Sequence, residues 1–266
     1  KLAPMANIGA FDSGLGGLWI LKYLEQELPG YNYIYYADQA HLPYGSKTPD
    51  EITEFSSGIV DFLIEKDCKL IVIACNTATS ASIAKLREKY LVPFVGMEPA
   101  VKPASELSKT GHIGVLATKV TAEGQKLHDN IEKFATDVEV HTVIGTGLVE
   151  LVEEGKADTD EAEELLRTYL EPLLNKNIDQ LVLGCTHYAF LINRIKKIVG
   201  DKVNIIDPAP AVVKRVKQLL EENNIASDVA RTVLATNKKE PEIFTSGPYI
   251  DKIKEFFTNL QPPIHL

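Results

Sequence analysis

Short unbroken apolar runs alternate along the chain with stretches in which apolar residues return every third or fourth position. A short run bounded by turn residues reads as a buried strand, and the longer spacing reads as an amphipathic helix. Runs at 7–11, 31–37, 70–74 and 92–96 predict four strands in the first hundred residues. Between them, helices are predicted from the glycine-rich turn Asp12-Ser13-Gly14-Leu15-Gly16-Gly17 to about residue 26, from Thr48 onward, and over 82–90. Thr48, Pro49 and Glu51 form a helix-start signal, after which Ile52, Phe55, Ile59, Phe62 and Leu63 recur at helical spacing.

After Met97-Glu98-Pro99 the pattern begins again, with strands predicted at 113–116, 138–143, 181–184 and 203–206. Helices are predicted from about residue 121 to 134 and over 147–154, 161–174, 191–199 and 211–222. Strands separated by helices of this length give parallel sheets with right-handed crossovers. The last strand and helix are too few for a third core, so they are expected to return to the first half. The expected fold class is α/β, with two similar α/β domains and mainly parallel sheets. The first domain is expected to comprise 1–97 plus 209–266, and the second 98–208.

Two of the strand runs end in the same way. Residues 70–80 read L-I-V-I-A-C-N-T-A-T-S, and residues 181–190 read L-V-L-G-C-T-H-Y-A-F. Each apolar run ends at a cysteine, followed by hydrogen-bonding residues and then by helical spacing. A cysteine at such a corner sits among unpaired N–H donors, where the helix dipole favours thiolate. Two like corners imply two half-molecules facing one ligand, with Cys75 and Cys185 on either side of it. That is the arrangement a two-base proton transfer needs. Asn76, Thr77, Thr186 and His187 add donors beside the sulfurs and suit a carboxylate ligand.

Each thiol also needs a group to manage its proton. Asp12 is the candidate for Cys75, because both end neighbouring strands. His187, two residues on, is the candidate for Cys185, with a glutamate from 147–154 as a further partner. In parallel sheets ligands sit beyond the carboxyl ends of the strands, where Asp12, Asp38, Tyr44 and Cys75 would gather.

Composition narrows the class. At 266 residues, 45% apolar and 24% charged, the chain has the make-up of a globular protein. A net charge of −9 argues against nucleic acid as the main partner, since phosphate binding relies on clustered Lys and Arg. No apolar run reaches the length of a membrane span and no charged-then-apolar leader is present, so a cytoplasmic location is expected. The fold signal begins at Asn7, and Lys1 to Pro4 are expected to be an appendage. Three cysteines, without C-x-x-C spacing, make neither a disulfide framework nor a metal motif.

Plainer readings stand beside these. Cys68 has no polar followers and is assigned no role. Asp12-Ser13-Gly14 alone could be a turn and helix cap, and Asp38 and Asp207 could be strand-end caps. A dinucleotide fingerprint fails, because its third glycine would fall at Trp19.

Asp12-Ser13-Gly14, Pro43-Tyr44-Gly45, Cys75-Asn76-Thr77-Ala78 and Gly184-Cys185-Thr186-His187-Tyr188 resemble, in order, the signature blocks of the cofactor-independent glutamate racemases of bacteria. The resemblance implies that Cys75 and Cys185 are the proton donor/acceptors, assisted by Asp12, His187 and Glu153. It implies a glutamate pocket lined by Asp12, Ser13, Tyr44, Gly45, Asn76, Thr77, Thr186 and His187, with no metal or cofactor. It further implies an active site between the two domains, a homodimer, and a D-glutamate product that feeds peptidoglycan synthesis. Two departures stand out. Ala189-Phe190 replaces the usual Pro-Leu, which is expected to reshape the helix after Cys185, and Glu150 stands where many members have proline. Glu150 and Glu153 therefore both remain open as partners of the second thiol, with the spacing favouring Glu153.

Other functions remain to be separated from this one. An aspartate racemase, or a hydantoin or maleate-type enzyme, would use the same paired cysteines. A non-catalytic protein closing on an acidic amino acid would bind without exchanging protons. A cysteine hydrolase would leave the second thiol corner unexplained.

Overall fold

The computed structural model describes residues 5–225 and 240–260. The expected appendage at Lys1 to Pro4 lies outside them. The elements follow in chain order. β1 (Asn7–Asp12), α1 (Leu18–Glu27), β2 (Asn32–Ala37), α2 (Pro49–Glu65), β3 (Cys68–Ile73), α3 (Asn76–Lys89) and β4 (Phe94–Gly96) come first. α4 (Val101–Leu107), β5 (His112–Ala117), α5 (Lys119–Glu123), α6 (Gln125–Phe134), β6 (Glu139–Ile144), α7 (Leu148–Glu153) and α8 (Asp160–Leu174) follow. The series continues with β7 (Gln180–Gly184), α9 (Ile192–Val199), β8 (Asn204–Ile206) and α10 (Ala209–Glu222), and closes with β9 (Glu242–Thr245) and α11 (Ile250–Asn259).

The strands form two sheets among the described residues, ordered β4-β3-β1-β2-β9 and β6-β5-β7-β8. Every pairing is parallel. Such sheets are covered on both faces, which is why the strands read as continuous apolar runs. On the first sheet, α1, α10 and α11 pack on one face and α2 and α3 on the other. On the second, α7, α8 and α9 cover one face and α4 and α6 the other. The last strand does return to the first half, pairing Ile34 with Glu242 through Ala37 with Thr245.

Local sequence accounts for several boundaries. Thr48 and Glu51 close a reciprocal capping box on α2: Thr48 Oγ1 accepts from the Glu51 N–H at 3.3 Å, and Glu51 Oε2 from the Thr48 N–H at 2.8 Å. α3 begins at Asn76, six residues before the predicted start, because Cys75 itself caps it and small Thr, Ala and Ser residues hide the apolar period. The single helix predicted near 121–134 is two, broken at Gly124. After Cys185 the chain runs as a 3₁₀ turn, Thr186–Leu191, before α9 begins.

The two halves are tied together. Asp207, just past β8, accepts from Tyr23 Oη at 2.8 Å and from Trp19 Nε1 at 3.1 Å. Asp207 thus clasps α1. Phe190, in the Ala189-Phe190 departure after Cys185, packs edge-on against Trp19 at 5.9 Å and Phe256 at 5.1 Å. An aromatic there joins the second half to α1 and α11.

Candidate active site

The carboxyl ends of both sheets open on one cleft of about 580 Å³, counted out to its mouth. Ser13, Tyr44, Gly45, Cys75 and Thr77 line it from the first half, and Cys185 and His187 from the second. Thr118, Lys119 and the 144–147 loop complete the wall and carry no motif of their own in the sequence. Their one signal was positional: they follow strands β5 and β6.

Asp12, Asn76 and Thr186 lie behind this wall rather than in it. Each is buried, next in sequence to a lining residue, with a side-chain oxygen that has no hydrogen-bond partner among the described residues: Oδ1 of Asp12, Oδ1 of Asn76 and Oγ1 of Thr186. Buried polar atoms are nearly always paired, so three unpaired ones beside one cleft mark it as a place for a polar ligand. Tyr44 is also committed elsewhere through its hydroxyl, which donates to Asp38 Oδ2 at 2.5 Å. Asp38 additionally accepts from Ser246 Oγ at 2.6 Å and stands 2.9 Å from His41 Nδ1. It orders the wall and stays outside the cleft.

The two cysteine corners are built differently. Cys75 Sγ accepts from the Ala78 N–H at 3.4 Å in the first turn of α3. Cys185 has no such backbone donor among the described residues, and its sulfur lies 3.9 Å from Nδ1 of His187. Cys68, by contrast, opens β3, is buried against Leu63 and Gly9, and is pushed up to about 12 by burial. It is a packing residue.

Burial pushes the Cys75 thiol well above its ordinary range, and the neighbouring Asp12 carboxylate adds to the effect. Asp12 is itself raised by burial, although His187, Cys75 and the Gly17 N–H at 2.8 Å pull it partway back. Burial alone would depress the His187 imidazolium. Its bonds to Cys185 and Glu153 and the charge on Asp12 outweigh that and hold it well above the usual histidine range. Glu153 mirrors it: burial would raise the carboxyl, but His187 and the Leu15 N–H hold it low. The first corner therefore holds its proton on Cys75 beside Asp12, and the second holds one on His187 against the Glu153 carboxylate.

Glu153, not Glu150, makes the contact with His187. Its Oε1 lies 2.7 Å from His187 Nε2 and accepts from the Leu15 N–H at 2.6 Å, while Lys252 of α11 donates to its main-chain carbonyl at 2.7 Å. Glu150 faces the cleft instead. The glycine-rich turn makes this possible. A Cβ at Gly14 would fall 2.0 Å from Glu153 Oε1, and one at Gly16 2.4 Å from His187 Nδ1. These glycines let the second half press its His187–Glu153 pair against the backbone of the first.

The Asp/Glu/Hydantoin racemase family description matches residues 20–216. A glutamate racemase of Roseiflexus sp. is 44% identical over 243 residues, 90% of this chain and 89% of that protein. A glutamate racemase isoform from Bacillus anthracis matches in structure with a TM-score of 0.85 and 31% identity, covering 96% of this chain and 95% of that one. The Escherichia coli glutamate racemase solved in complex with L-glutamate and the activator UDP-MurNAc-ala matches with a TM-score of 0.83, also at 31% identity, over 96% of this chain and 95% of that one.

Proposed function

Because the chain belongs to the Asp/Glu/Hydantoin racemase family, we propose that it interconverts L-glutamate and D-glutamate by two-base proton transfer at the α-carbon. It is an amino-acid racemase, like the curated relatives that match nine-tenths of its length. The observation that carries the two-base reading is that Cys75 and Cys185 reach one cleft from different sheets, each beside its own proton-handling group.

On this reading one sulfur, as thiolate, removes the α-proton from one face while the other delivers its proton to the opposite face. One S–H bond forms as another breaks, the α C–H bond is remade with inverted geometry, and the two sulfurs exchange states. Productive transfer needs each sulfur within roughly 3 to 3.5 Å of the carbon. Asp12 assists Cys75 and His187 assists Cys185, each taking or returning the thiol's proton. Glu153 positions His187 and holds its charge. Ser13, Tyr44, Gly45, Thr77 and His187 hold the substrate, and Asp12, Asn76 and Thr186, one layer behind them, complete the polar wall of the glutamate pocket. Fixed donors around the developing carbanion supply the stabilisation that water could not organise in time.

The same proposal places the enzyme in the cytoplasm as a homodimer, supplying D-glutamate for peptidoglycan synthesis. Residues 98–208 act as one domain, and 1–97 with 209–266 as the other. In support, the apolar clusters on the two sheets are distinct and meet through a few partly buried residues, Trp19, Leu42 and Val120. Incubation with each enantiomer of glutamate and of aspartate in deuterated water tests the reading. Deuterium should enter the α position of L- and D-glutamate alike. Exchange of aspartate without glutamate would overturn the substrate, and binding of glutamate without any exchange would overturn the reaction.

A further inference from the structure

We propose that His112, Glu139 and His141 form a binding site for a divalent transition-metal ion, Zn²⁺ in the first instance, at the end of the second sheet away from the cleft. His112 opens β5 and Glu139 opens β6, and the two are register partners across the parallel pair. His141 follows two residues later, so strand alternation returns it to the face of Glu139. The cleft is lined by residues after the far ends of these same strands. The five residue steps of β5 put the two places roughly 16 Å apart.

The geometry is that of a ligand set. His112 Nδ1 lies 3.2 Å from His141 Nε2 and 3.6 Å from Glu139 Oε2, and one ligand atom from each residue falls within 4.8 Å of the others. In a tetrahedral zinc shell, bonds of about 2.0–2.1 Å to nitrogen and about 2.0–2.2 Å to oxygen set ligand atoms about 3.3 Å apart. The nitrogen pair already stands at that spacing, while the carboxylate, with Oε1 3.7 Å from the other ring nitrogen of His141, must swing toward Nε2 to complete the set. Glu139 is free to do so, since its side chain is 65% exposed, whereas His141 is held at 12%. Two imidazoles and one carboxylate select a borderline ion such as Zn²⁺, Co²⁺ or Ni²⁺ over Mg²⁺ or Ca²⁺, which prefer all-oxygen shells. Three protein ligands leave a fourth position to water. An ion there would bridge the edge strand β6 to β5 and stabilise the sheet, taking no part in chemistry at the sulfurs.

Equilibrium dialysis of the full chain against Zn²⁺, paired with Co²⁺ titration followed by absorption, tests the site. The two readouts are needed because the cleft thiols can also bind these ions. Thiolate ligation gives Co²⁺ an intense near-ultraviolet charge-transfer band, and a nitrogen and oxygen shell does not. The expected result is a tightly bound ion without that band, whose affinity falls at least about 100-fold in His141→Ala, the upper end of what losing even an outer partner costs. His112→Asn should behave the same way, and both variants should racemise as the parent does in the absence of metal. Binding that shows only the thiolate band, binding undiminished in both variants, or no binding would overturn the site and leave two imidazoles merely sharing a hydrogen bond.

Discussion

Nε2 of His187 lies 2.7 Å from Oε1 of Glu153, and both side chains are almost wholly enclosed. The contact joins α7 to the turn after β7, and it keeps a positive ring next to Cys185. Glu153→Gln removes the charge while keeping a hydrogen-bonding group. Racemisation should fall by about 10- to 100-fold, at or below the low end of what a positioned acid or base contributes. A stability loss alone would leave the pH profile in place. Here its alkaline limb should move to lower pH, because His187 loses one of the causes that raise it.

Stability should decline as pH rises, and the sign follows from three groups. His187, Asp12 and Cys75 all hold protons more tightly folded than unfolded. A raised group contributes stability that is complete below its unfolded pKa and is lost above it. The His187 share begins to fade near 6.5, its ordinary value, and that of Cys75 near 9.0. The Asp12 share starts to fade at the lowest pH, from near 3.8. Melting temperature should therefore drop between about pH 6.5 and 9, with a slope of up to about 1.4 kcal/mol per pH unit from His187. Circular dichroism melts of His187→Asn should be flatter in the lower part of that window. A parental melting temperature that climbs through it would refute the assignment of charge.

Gly16→Ala should abolish most activity, while Gly58→Ala should not. The first would drive a methyl into His187 and Thr186, whereas a Cβ at Gly58 meets nothing within 4 Å. Displacing the second half by even an ångström can cost about 100-fold. Gly58 lies inside α2, where alanine should add about 0.5–1 kcal/mol of stability. Parallel assays and melts of the two variants check both halves of this statement.

Most of the architecture could be read from the chain because parallel strands buried on both faces leave unmistakable apolar runs. The helix start at Thr48, the return of the last strand, and the two cysteine corners were visible as well. Four things were not. The start of α3 was masked by small polar residues that carry no apolar period. Thr118, whose hydroxyl lies 2.8 Å from that of Thr77, joins the wall through tertiary packing that no local pattern records. The choice between Glu150 and Glu153 depended on helical phase, since residues three apart share a face and only the packed helix decides which one meets His187. The role of Gly14 and Gly16 as space for the opposite half was likewise hidden. Their sequence signal was that of an ordinary turn.

The central claim is that Cys75 and Cys185 work from opposite sides of one carbon, and α-proton exchange in the single variants tests it most directly. Net racemisation cannot separate the two sulfurs, because the enantiomers are equal in free energy and the forward and reverse efficiencies must match. Exchange with deuterated water can, since each thiol should serve one enantiomer. Cys75→Ser and Cys185→Ser should each lose racemisation, while any exchange that survives is confined to one enantiomer in the first variant and to its mirror image in the second. Full racemisation in both variants, or residual exchange favouring the same enantiomer in both, would contradict the account.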